Sequence, residues 1–211
     1  MSVAILSIGT KVVRGEIIDT NAAWLASRLT EAGFHVETKM AVHDEVERIA
    51  ETVKQLAESH RMVVATGGLG PTTDDLTALA AARASGVETA ENPDALLEVR
   101  RRVESRGRQM TAAHRKQAHL PIGCDLLSNT EGAATGVGVV VGAATCYFLP
   151  GVPKEMRRMF EDQVLPRARP QAPSDRHVIR LCTFGLPESA AASKLDGLTL
   201  PTLDGLTSDD L

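Results

Sequence analysis

The sequence predicts an α/β protein whose mostly parallel sheet is covered by helices on both faces. Three short segments, residues 3–8, 34–42 and 61–66, read as strands. The first and the third are largely apolar at consecutive positions, which is typical of strands buried on both faces. Segments with helical apolar spacing separate the three, and strands that alternate with helices favour a parallel sheet.

The first half of the chain contains two predicted helices. Asn21 can cap the first, which carries Leu25 and Leu29 on one face and ends at Gly33. Asp44 begins the second, which has the clearest helical periodicity in the sequence. Its apolar positions are Val46, Ile49, Ala50, Val53, Leu56 and Ala57.

Three more helices are predicted in the middle of the chain. Residues 75–84 are rich in alanine and leucine and favour the first. Asn92 can cap the second, with Pro93 at its first position, and this helix ends near Gly107. Residues 111–120 are predicted to form the third.

The region before residue 170 closes with a strand pair and a helix. Residues 137–141 and 145–149 are strand-like and flank a short turn, so we expect them to add an antiparallel element to the sheet. Pro153 begins a final helix, which Pro166 ends.

The length of 211 residues favours one main domain with a small appendage. We assign residues 1–168 to a domain that binds a phosphate-bearing ligand, and residues 169–211 to a linker plus an incomplete small domain. In the second segment, residues 177–184 could form a strand and residues 187–195 a short helix. The acidic stretch 197–211 is expected to be mobile.

Composition excludes several classes of function. The formal net charge is −4 and the pI about 5.9, so the broad basic field of a nucleic-acid-binding protein is absent. No apolar stretch approaches the roughly 18 residues of a membrane span. The start of the sequence does not resemble an export signal. Three cysteines far apart in the sequence indicate reduced thiols, and we expect a cytoplasmic protein.

The strongest functional signal is the segment TGGLGPTTDDLT at residues 66–77, between a buried strand and a helix. Loops at the carboxyl ends of strands carry the ligand sites of open α/β sheets. Gly67, Gly68 and Gly70 let backbone N–H groups approach an anion, and the hydroxyls of Thr72 and Thr73 can add donors. The segment is neither a Walker A motif nor a G-x-G-x-x-G fingerprint.

Two adjacent aspartates follow these glycines, and carboxylates repel phosphate. A divalent cation held by Asp74 and Asp75 beside the ligand would resolve the conflict, and Mg²⁺ is commonly bound in this way. The alternative is that one of them only caps the next helix while the glycines only form a turn.

A second strand-to-helix loop, residues 149–156, offers Gly151 for a tight turn and Lys154 for a phosphate contact. Glu155 could be a ligand or a capping-box carboxylate. A third loop, residues 129–136, is polar and contains glycine, which by itself is weak support for a site.

Other candidates lie near the first two strands and on two helices. Asp19 could ligate a metal or cap a helix, and Asp44 could face the cleft or only cap. The basic segment 114–117, which includes Lys116, and the arginines at 100–102 are expected to be solvated helix faces.

Taken together and in order, several segments resemble the N-terminal domain of the competence/damage-inducible protein CinA. The resemblance covers about residues 1–168 and extends to the MoaB/Mog molybdopterin-binding domain. The segments that carry it are Gly9-Thr10, Gly15, Asp19-Thr20-Asn21, residues 66–77, Arg115-Lys116-Gln117-Ala118 and residues 149–156.

This resemblance implies a three-layer α/β/α fold, often oligomeric, with a pterin- or nucleotide-phosphate site on the glycine-rich loop. By motif position, Asp44 and Asp75 correspond to the two aspartates that serve the chemistry of the molybdenum-cofactor relatives. The CinA branch is associated with metal-dependent hydrolysis of ADP-ribose to AMP and ribose 5-phosphate. We therefore expect a divalent metal, Mg²⁺ or Co²⁺, with Lys116 and Lys154 offsetting phosphate charge.

The sequence departs from the family pattern at two positions. The family usually has glutamate where this chain has Lys11, which could remove a metal ligand or add a phosphate contact. It usually has proline where this chain has Thr135. Residues 180–189 resemble the start of the family's small middle domain, and we expect these 211 residues to contain no nicotinamide-mononucleotide deamidase domain.

Three functions follow as hypotheses. The first is a metal-dependent pyrophosphatase for ADP-ribose or a related nucleoside diphosphate derivative. The second is a molybdopterin-binding protein, either a binder or an adenylyltransferase-like enzyme. The third is a regulatory module without catalysis. In each case we expect a small phosphate-bearing ligand and a homo-oligomer, without a membrane or nucleic-acid partner.

Overall fold

A computed structural model describes residues 2–169, 184–185 and 187–195. The described part forms a six-stranded sheet and a separate two-stranded sheet. The strands are β1 (Ser2–Ile8), β2 (His35–Val42), β3 (Met62–Thr66), β4 (Thr89–Glu91), β5 (His119–Pro121), β6 (Asp125–Leu127), β7 (Gly136–Val141) and β8 (Ala144–Leu149).

Helices connect most of the strands. They are α1 (Thr10–Val13), α2 (Thr20–Glu31), α3 (Val46–Ser59), α4 (Thr77–Ser85), α5 (Pro93–Glu104), α6 (Ala112–Lys116), α7 (Pro153–Met159), α8 (Leu165–Ala168) and α9 (Glu188–Leu195). A π-helical turn, Phe160–Val164, joins α7 to α8.

The large sheet has the strand order β2-β1-β3-β8-β7-β6. Its first four strands are mutually parallel, whereas β7 runs antiparallel to both β8 and β6. Because β1, β3 and β8 are parallel neighbours, the loops that follow them leave from the same edge of the sheet. The strand order therefore brings the loops before α1, α4 and α7 together.

Two apolar cores cover the two faces of the sheet. Ala4 and Leu6 of β1 pack with the buried faces of α3 and α4 in one core. Val3 and Ile5 point the other way and pack with α2, α7 and the π-helical turn in the second, as side-chain alternation along a strand requires. The predicted three-layer α/β/α architecture with a mostly parallel sheet is confirmed.

Three local predictions were wrong. Asn21 does not cap α2, because Asp19 is the N-cap residue. The helix predicted over residues 111–120 ends at Lys116, and β5 follows, paired antiparallel with β4. Pro166 does not end the last helical region, because it lies in the first turn of α8, directly after the π-helical turn.

Asn92 caps α5 as predicted, since its side chain accepts a hydrogen bond from the backbone N–H of Ala95 at 3.0 Å. The strand pair β7 and β8 confirms the predicted antiparallel element.

The chain divides into two compact units, Met1–Val178 and Ile179–Leu211. Both apolar cores lie in the first unit. In the second, α9 confirms the short helix predicted over residues 187–195. The strand predicted at residues 177–184 lies outside the described residues except at its last position, and the predicted mobile stretch 197–211 lies wholly outside them.

No helix in the described part of the chain is both long and apolar enough to cross a membrane. Cys124 and Cys146 are free thiols. Burial raises the pKa of Cys146 to about 12 and also raises the pKa of Cys124.

We predict that Cys146 resists alkylation in the folded protein. With a pKa of about 12, roughly one thiol in ten thousand is ionised near pH 8, and the thiolate is the reactive species. Iodoacetamide labelling of a Cys182→Ser variant, read by peptide mass spectrometry, checks this. Cys146 should be modified only after denaturant is added, and its rapid labelling in the native protein would contradict the burial.

Candidate functional site

Two cavities open at the sheet edge where β1, β3 and β8 end. The larger, about 710 Å³, is called the aspartate cavity. Its lining includes Thr10, Lys11, Asp19, Asn21, Asp44, Gly67, Asp74 and Gly151.

The second, about 370 Å³, is called the arginine cavity. Its lining includes Gly68, Gly70, Asp75, Arg102, Arg106, Arg108, His114, Gln117, Gly151 and Glu155. A third, of about 190 Å³, adjoins the glycine loop and is lined by Gly70, Asp75, Lys116 and Gln117 among others.

The glycine loop after β3 separates the two larger cavities. Gly67 has φ +117°, and a Cβ there would lie 2.0 Å from the carbonyl oxygen of Ile8. Its own N–H donates to the carbonyl of Leu149 at 3.0 Å. Gly67 is therefore required by close packing against β1, and its amide is not free to bind a ligand.

The next three amides of the loop are available to a ligand. Within the described residues, no hydrogen bond engages the N–H groups of Gly68, Leu69 and Gly70. All three residues line the arginine cavity. Thr77 fixes the backbone of this loop. Its hydroxyl donates to the Gly67 carbonyl at 2.8 Å, and its N–H donates to the Gly68 carbonyl at 3.1 Å.

Asp75 closes the loop on itself. Its carboxylate accepts hydrogen bonds from the backbone N–H and the hydroxyl of Thr72, at 2.8 Å and 2.6 Å. The N-cap residue of α4 is Leu76, without a side-chain cap bond, so the interpretation of Asp75 as an N-cap is wrong. Thr72 and Thr73 line none of the three cavities above.

Asp74 and Asp75 face different spaces, since Asp74 lines the aspartate cavity and Asp75 the arginine cavity. Asp44 joins Asp74 in the first of these. One Asp44 carboxylate oxygen, Oδ2, accepts a hydrogen bond from the Thr10 N–H at 2.7 Å. Asp44 does not begin α3, whose N-cap residue is Glu45; it fixes the loop after β1 instead.

Asp19 acts as a cap, one of the two roles considered from the sequence. Its two oxygens accept hydrogen bonds from the Ala22 N–H at 2.9 Å and the Ser7 hydroxyl at 2.5 Å. The neighbouring Asn21 links three loops, because its amide nitrogen donates to the Thr66 hydroxyl at 3.2 Å and to the Gly151 carbonyl at 2.9 Å. Asn21 was predicted to cap α2, and its bonds to Thr66 and Gly151 were not predicted.

In the loop after β8, Gly151 lines both larger cavities. Lys154 lies outside all three cavities and pairs with Glu131 at 2.5 Å. The hydrogen bond from this ammonium lowers the pKa of the Glu131 carboxyl below its ordinary value. Lys116 lines the smallest cavity and donates to the Thr72 carbonyl.

Glu155 is not part of a capping box, because the N-cap residue Val152 makes no side-chain cap bond. Its carboxylate accepts a hydrogen bond from the Asn129 amide at 2.7 Å. Asn129 also accepts from the N–H groups of Glu131 and Gly132. The third loop, weakly marked in the sequence, is thereby fixed beside the arginine cavity.

The arginines of this cavity were not predicted from the sequence. Residues 100–102 were expected to be a solvated helix face, yet Arg102 donates to the carbonyls of Asn129 and Thr130. A signal was available in the helical periodicity. Ala95, Val99 and Val103 are the buried positions of α5, and Arg102 lies next to that buried stripe.

The aspartate cavity meets the chemical requirements for a divalent cation only in part. In the described residues, no group of three His, Cys, Asp or Glu side chains could hold a metal. Mg²⁺ is commonly bound by one or two carboxylates, with water and substrate phosphate completing its shell. Asp44 and Asp74 fit that role, whereas both oxygens of Asp19 are engaged.

We predict that Gly67→Ala destabilises the domain by more than about 3 kcal/mol, because it adds a clash to an unfavourable backbone conformation. Gly142→Ala is the matched control, since its φ is +59° and a Cβ there meets nothing within 4 Å. It should cost about 1 kcal/mol from backbone strain alone. Urea unfolding of both variants checks the difference, and equal losses would contradict the close approach to Ile8.

Comparison with known proteins identifies a family and similar proteins. Residues 4–170 match the family model described as probable molybdopterin binding domain. A CinA-like protein of Geobacter sp. (strain M21) is 44% identical over 197 residues, which are 93% of this chain and 48% of the relative. A CinA-like protein of Escherichia coli O17:K52:H18 is 39% identical over 203 residues, 95% of this chain and 50% of the relative. The chain spans about half the length of these relatives.

Solved structures agree with these matches. The structure of CinA from Thermoplasma acidophilum, described as of unknown function, has a TM-score of 0.73 and 29% identity, covering 80% of this chain and 99% of its own. The molybdopterin biosynthesis enzyme MoaB from Thermus thermophilus has a TM-score of 0.52 and 26% identity, covering 81% and 95%. The chain belongs to the molybdopterin-binding domain family and is similar to the CinA-like proteins, as its loop motifs predicted.

Proposed function

We propose that this domain hydrolyses ADP-ribose or a related nucleoside diphosphate derivative with the help of a divalent metal. The observation that carries the proposal is the placement of the glycine loop. The N–H groups of Gly68, Leu69 and Gly70, which have no partner among the described residues, border the arginine cavity, and Gly67 before them borders the aspartate cavity. A diphosphate needs both hydrogen-bond donors and charge neutralisation.

Each loop has a role in this proposal. The amides of Gly68 and Gly70 bind phosphate oxygens, and Gly67 keeps the loop against β1. Gly151 borders both cavities and leaves room for the diphosphate to cross between them. Lys116 offsets negative charge near Asp75, while Lys154, already paired with Glu131, acts only at the rim.

Asp44 and Asp74 would hold the metal, Mg²⁺ or Co²⁺, which would neutralise phosphate charge and lower the pKa of a water molecule. Asp44 also orients the attacking water. The Thr10 N–H fixes its Oδ2, so its Oδ1 can accept a proton from that water. Asp75 is a positioning residue, because the two hydrogen bonds that it accepts from Thr72 maintain the shape of the loop.

The direct test is turnover of ADP-ribose by purified protein with Mg²⁺ or Co²⁺. We expect AMP and ribose 5-phosphate as products, with loss of activity in EDTA and recovery on adding metal. Folded protein that yields no AMP with either ion would refute the enzyme hypothesis. Ligand binding without turnover would instead support a regulatory module.

We predict that Asp44→Asn lowers kcat by about 10²-fold or more, because an amide cannot accept the proton from water. Folding should change little, since the amide oxygen can still accept the Thr10 N–H. Asp94→Asn, at the start of α5 and outside both larger cavities, is the matched control. An unchanged kcat in Asp44→Asn would remove its assigned role.

Asp75→Asn distinguishes positioning from catalysis. Its side-chain oxygen can keep the hydrogen bonds from Thr72, so we expect a melting temperature close to that of the wild type. Turnover should also stay close to the wild-type value, because the loop shape that Asp75 maintains is kept. Melting curves and kcat measured on the same preparation check this, and a kcat that falls while the melting temperature is kept would assign the Asp75 carboxylate a direct part in the reaction.

Molybdopterin binding is the second candidate, favoured by the family that residues 4–170 match. A ligand that binds only the folded state raises the melting temperature. A thermal-shift series with ADP-ribose, AMP and pterin phosphates, with and without metal, separates the two candidates. A shift with pterin phosphates alone would favour molybdopterin.

We also propose that the protein is cytoplasmic and homo-oligomeric. Size-exclusion chromatography with light scattering tests the second point.

A further inference from the structure

We propose that the arginine cavity is a phosphate-binding subsite that works without metal, formed by Arg102, Arg106, Arg108 and Gln117 together with the glycine loop. The inference rests on the proposed function in one respect, since it places one phosphate of a diphosphate in this cavity and the other beside Asp44 and Asp74. The side chains of these four residues have no individual role in the mechanism proposed above.

The charges of the cavity favour an anion. Among the described residues, three guanidinium groups line it against two carboxylates, those of Asp75 and Glu155. Both carboxylates are already bound by protein donors, Asp75 by Thr72 and Glu155 by the Asn129 amide. The N–H groups of Gly68, Leu69 and Gly70, unpartnered within the described residues, add neutral donors to the same cavity.

The arginines differ in how far the protein uses them. Arg102 donates through one nitrogen to the carbonyls of Asn129 and Thr130, which fixes its position and leaves its other nitrogens available. Arg106 makes one long contact of 3.5 Å to the Glu131 carbonyl. The Arg108 side chain makes no hydrogen bond or ion pair to the described part of the chain. A planar guanidinium is suited to two-point binding of phosphate.

Gln117 supplies a second, independent observation. Its side chain lines both the arginine cavity and the smaller neighbour, yet the residue is only 7% exposed. Its Oε1 is buried without a hydrogen-bond partner, and its amide nitrogen has none among the described residues. Buried polar groups are normally paired. A ligand in the cavity would provide the missing partner, with the carboxamide turned to donate its N–H to a phosphate oxygen.

EDTA removes any cation from the aspartate cavity, whose carboxylates then disfavour phosphate, although Lys11 also lines that cavity. In EDTA, the loss of binding on substituting a residue of the arginine cavity assigns the bound phosphate to that cavity. The probe is inorganic phosphate at low ionic strength, followed by isothermal titration calorimetry. We expect binding to the wild type that weakens as salt is added, since the attraction is between exposed charges.

Arg108→Gln should weaken phosphate binding about tenfold or more, because a charge-assisted hydrogen bond is lost. Its melting temperature should change little, since the side chain makes no hydrogen bond or ion pair to the described part of the chain. Arg101→Gln is the matched control: it lies on α5 but not in the arginine cavity, and it should bind phosphate like the wild type. Equal affinities for Arg108→Gln and Arg101→Gln, or no binding by the wild type, would overturn the proposal.

Gln117→Leu tests the buried carboxamide. Removing an unpaired buried polar group should leave the melting temperature unchanged or raise it, while phosphate binding weakens. Gln117→Glu, of similar size but negative, should weaken binding further. Wild-type affinity in both variants would exclude Gln117 from the subsite.

Hydrolysis is measured separately on the same proteins. If the wild type binds phosphate through Arg108 but does not hydrolyse ADP-ribose, the subsite stands and the proposed function fails. If the wild type hydrolyses ADP-ribose and Arg108→Gln leaves both KM and phosphate binding unchanged, the subsite fails and the function stands.

Discussion

The contact between Gly67 and the end of β1 is the constraint on which the site depends. A side chain at this position would meet the Ile8 carbonyl at 2.0 Å, and a Cβ on Gly151 would lie 3.4 Å from the Gly67 Cα. The loops after β1, β3 and β8 can therefore come together only around a residue without a Cβ. Hydrogen bonds from Asn21 to Thr66 and Gly151 hold them in that arrangement.

This close packing divides the glycine loop into two parts, which differ in whether their backbone amides are bonded within the fold. The amide of Gly67 is used by the fold, in its bond to the Leu149 carbonyl. In the part of the chain that the structure describes, the amides of Gly68, Leu69 and Gly70 have no partner, and these residues line the arginine cavity. A packing residue and three residues with available amides are thus adjacent along the chain, and the same loop separates a carboxylate-lined cavity from an arginine-lined one.

The distribution of charge on the two sides of the glycine loop sets what chemistry the site could perform. Carboxylates on one side, Asp44 and Asp74, can hold a cation, whereas the guanidinium groups on the other can bind an anion directly. Asp75 contributes differently from its neighbour, because its hydrogen bonds to Thr72 turn it back into the loop. Adjacent residues in a tight turn point in different directions, so a shared motif does not imply a shared role.

The sequence by itself determined the fold class, most strands of the large sheet and the position of the glycine loop, because apolar periodicity and missing side chains are local properties. It also assigned Gly67 and Asp74 to a loop at the carboxyl ends of the strands, whereas it left open whether Asp44 faces that cleft or only caps a helix. Only the tertiary structure decided that Asn21 links loops instead of capping α2, that Arg102 lines a cavity and that Gln117 is buried without a partner among the described residues. These roles depend on contacts between distant residues, such as Asn21 and Gly151, 130 positions apart. Neither propensity nor spacing encodes which distant chain segment will lie beside a given side chain.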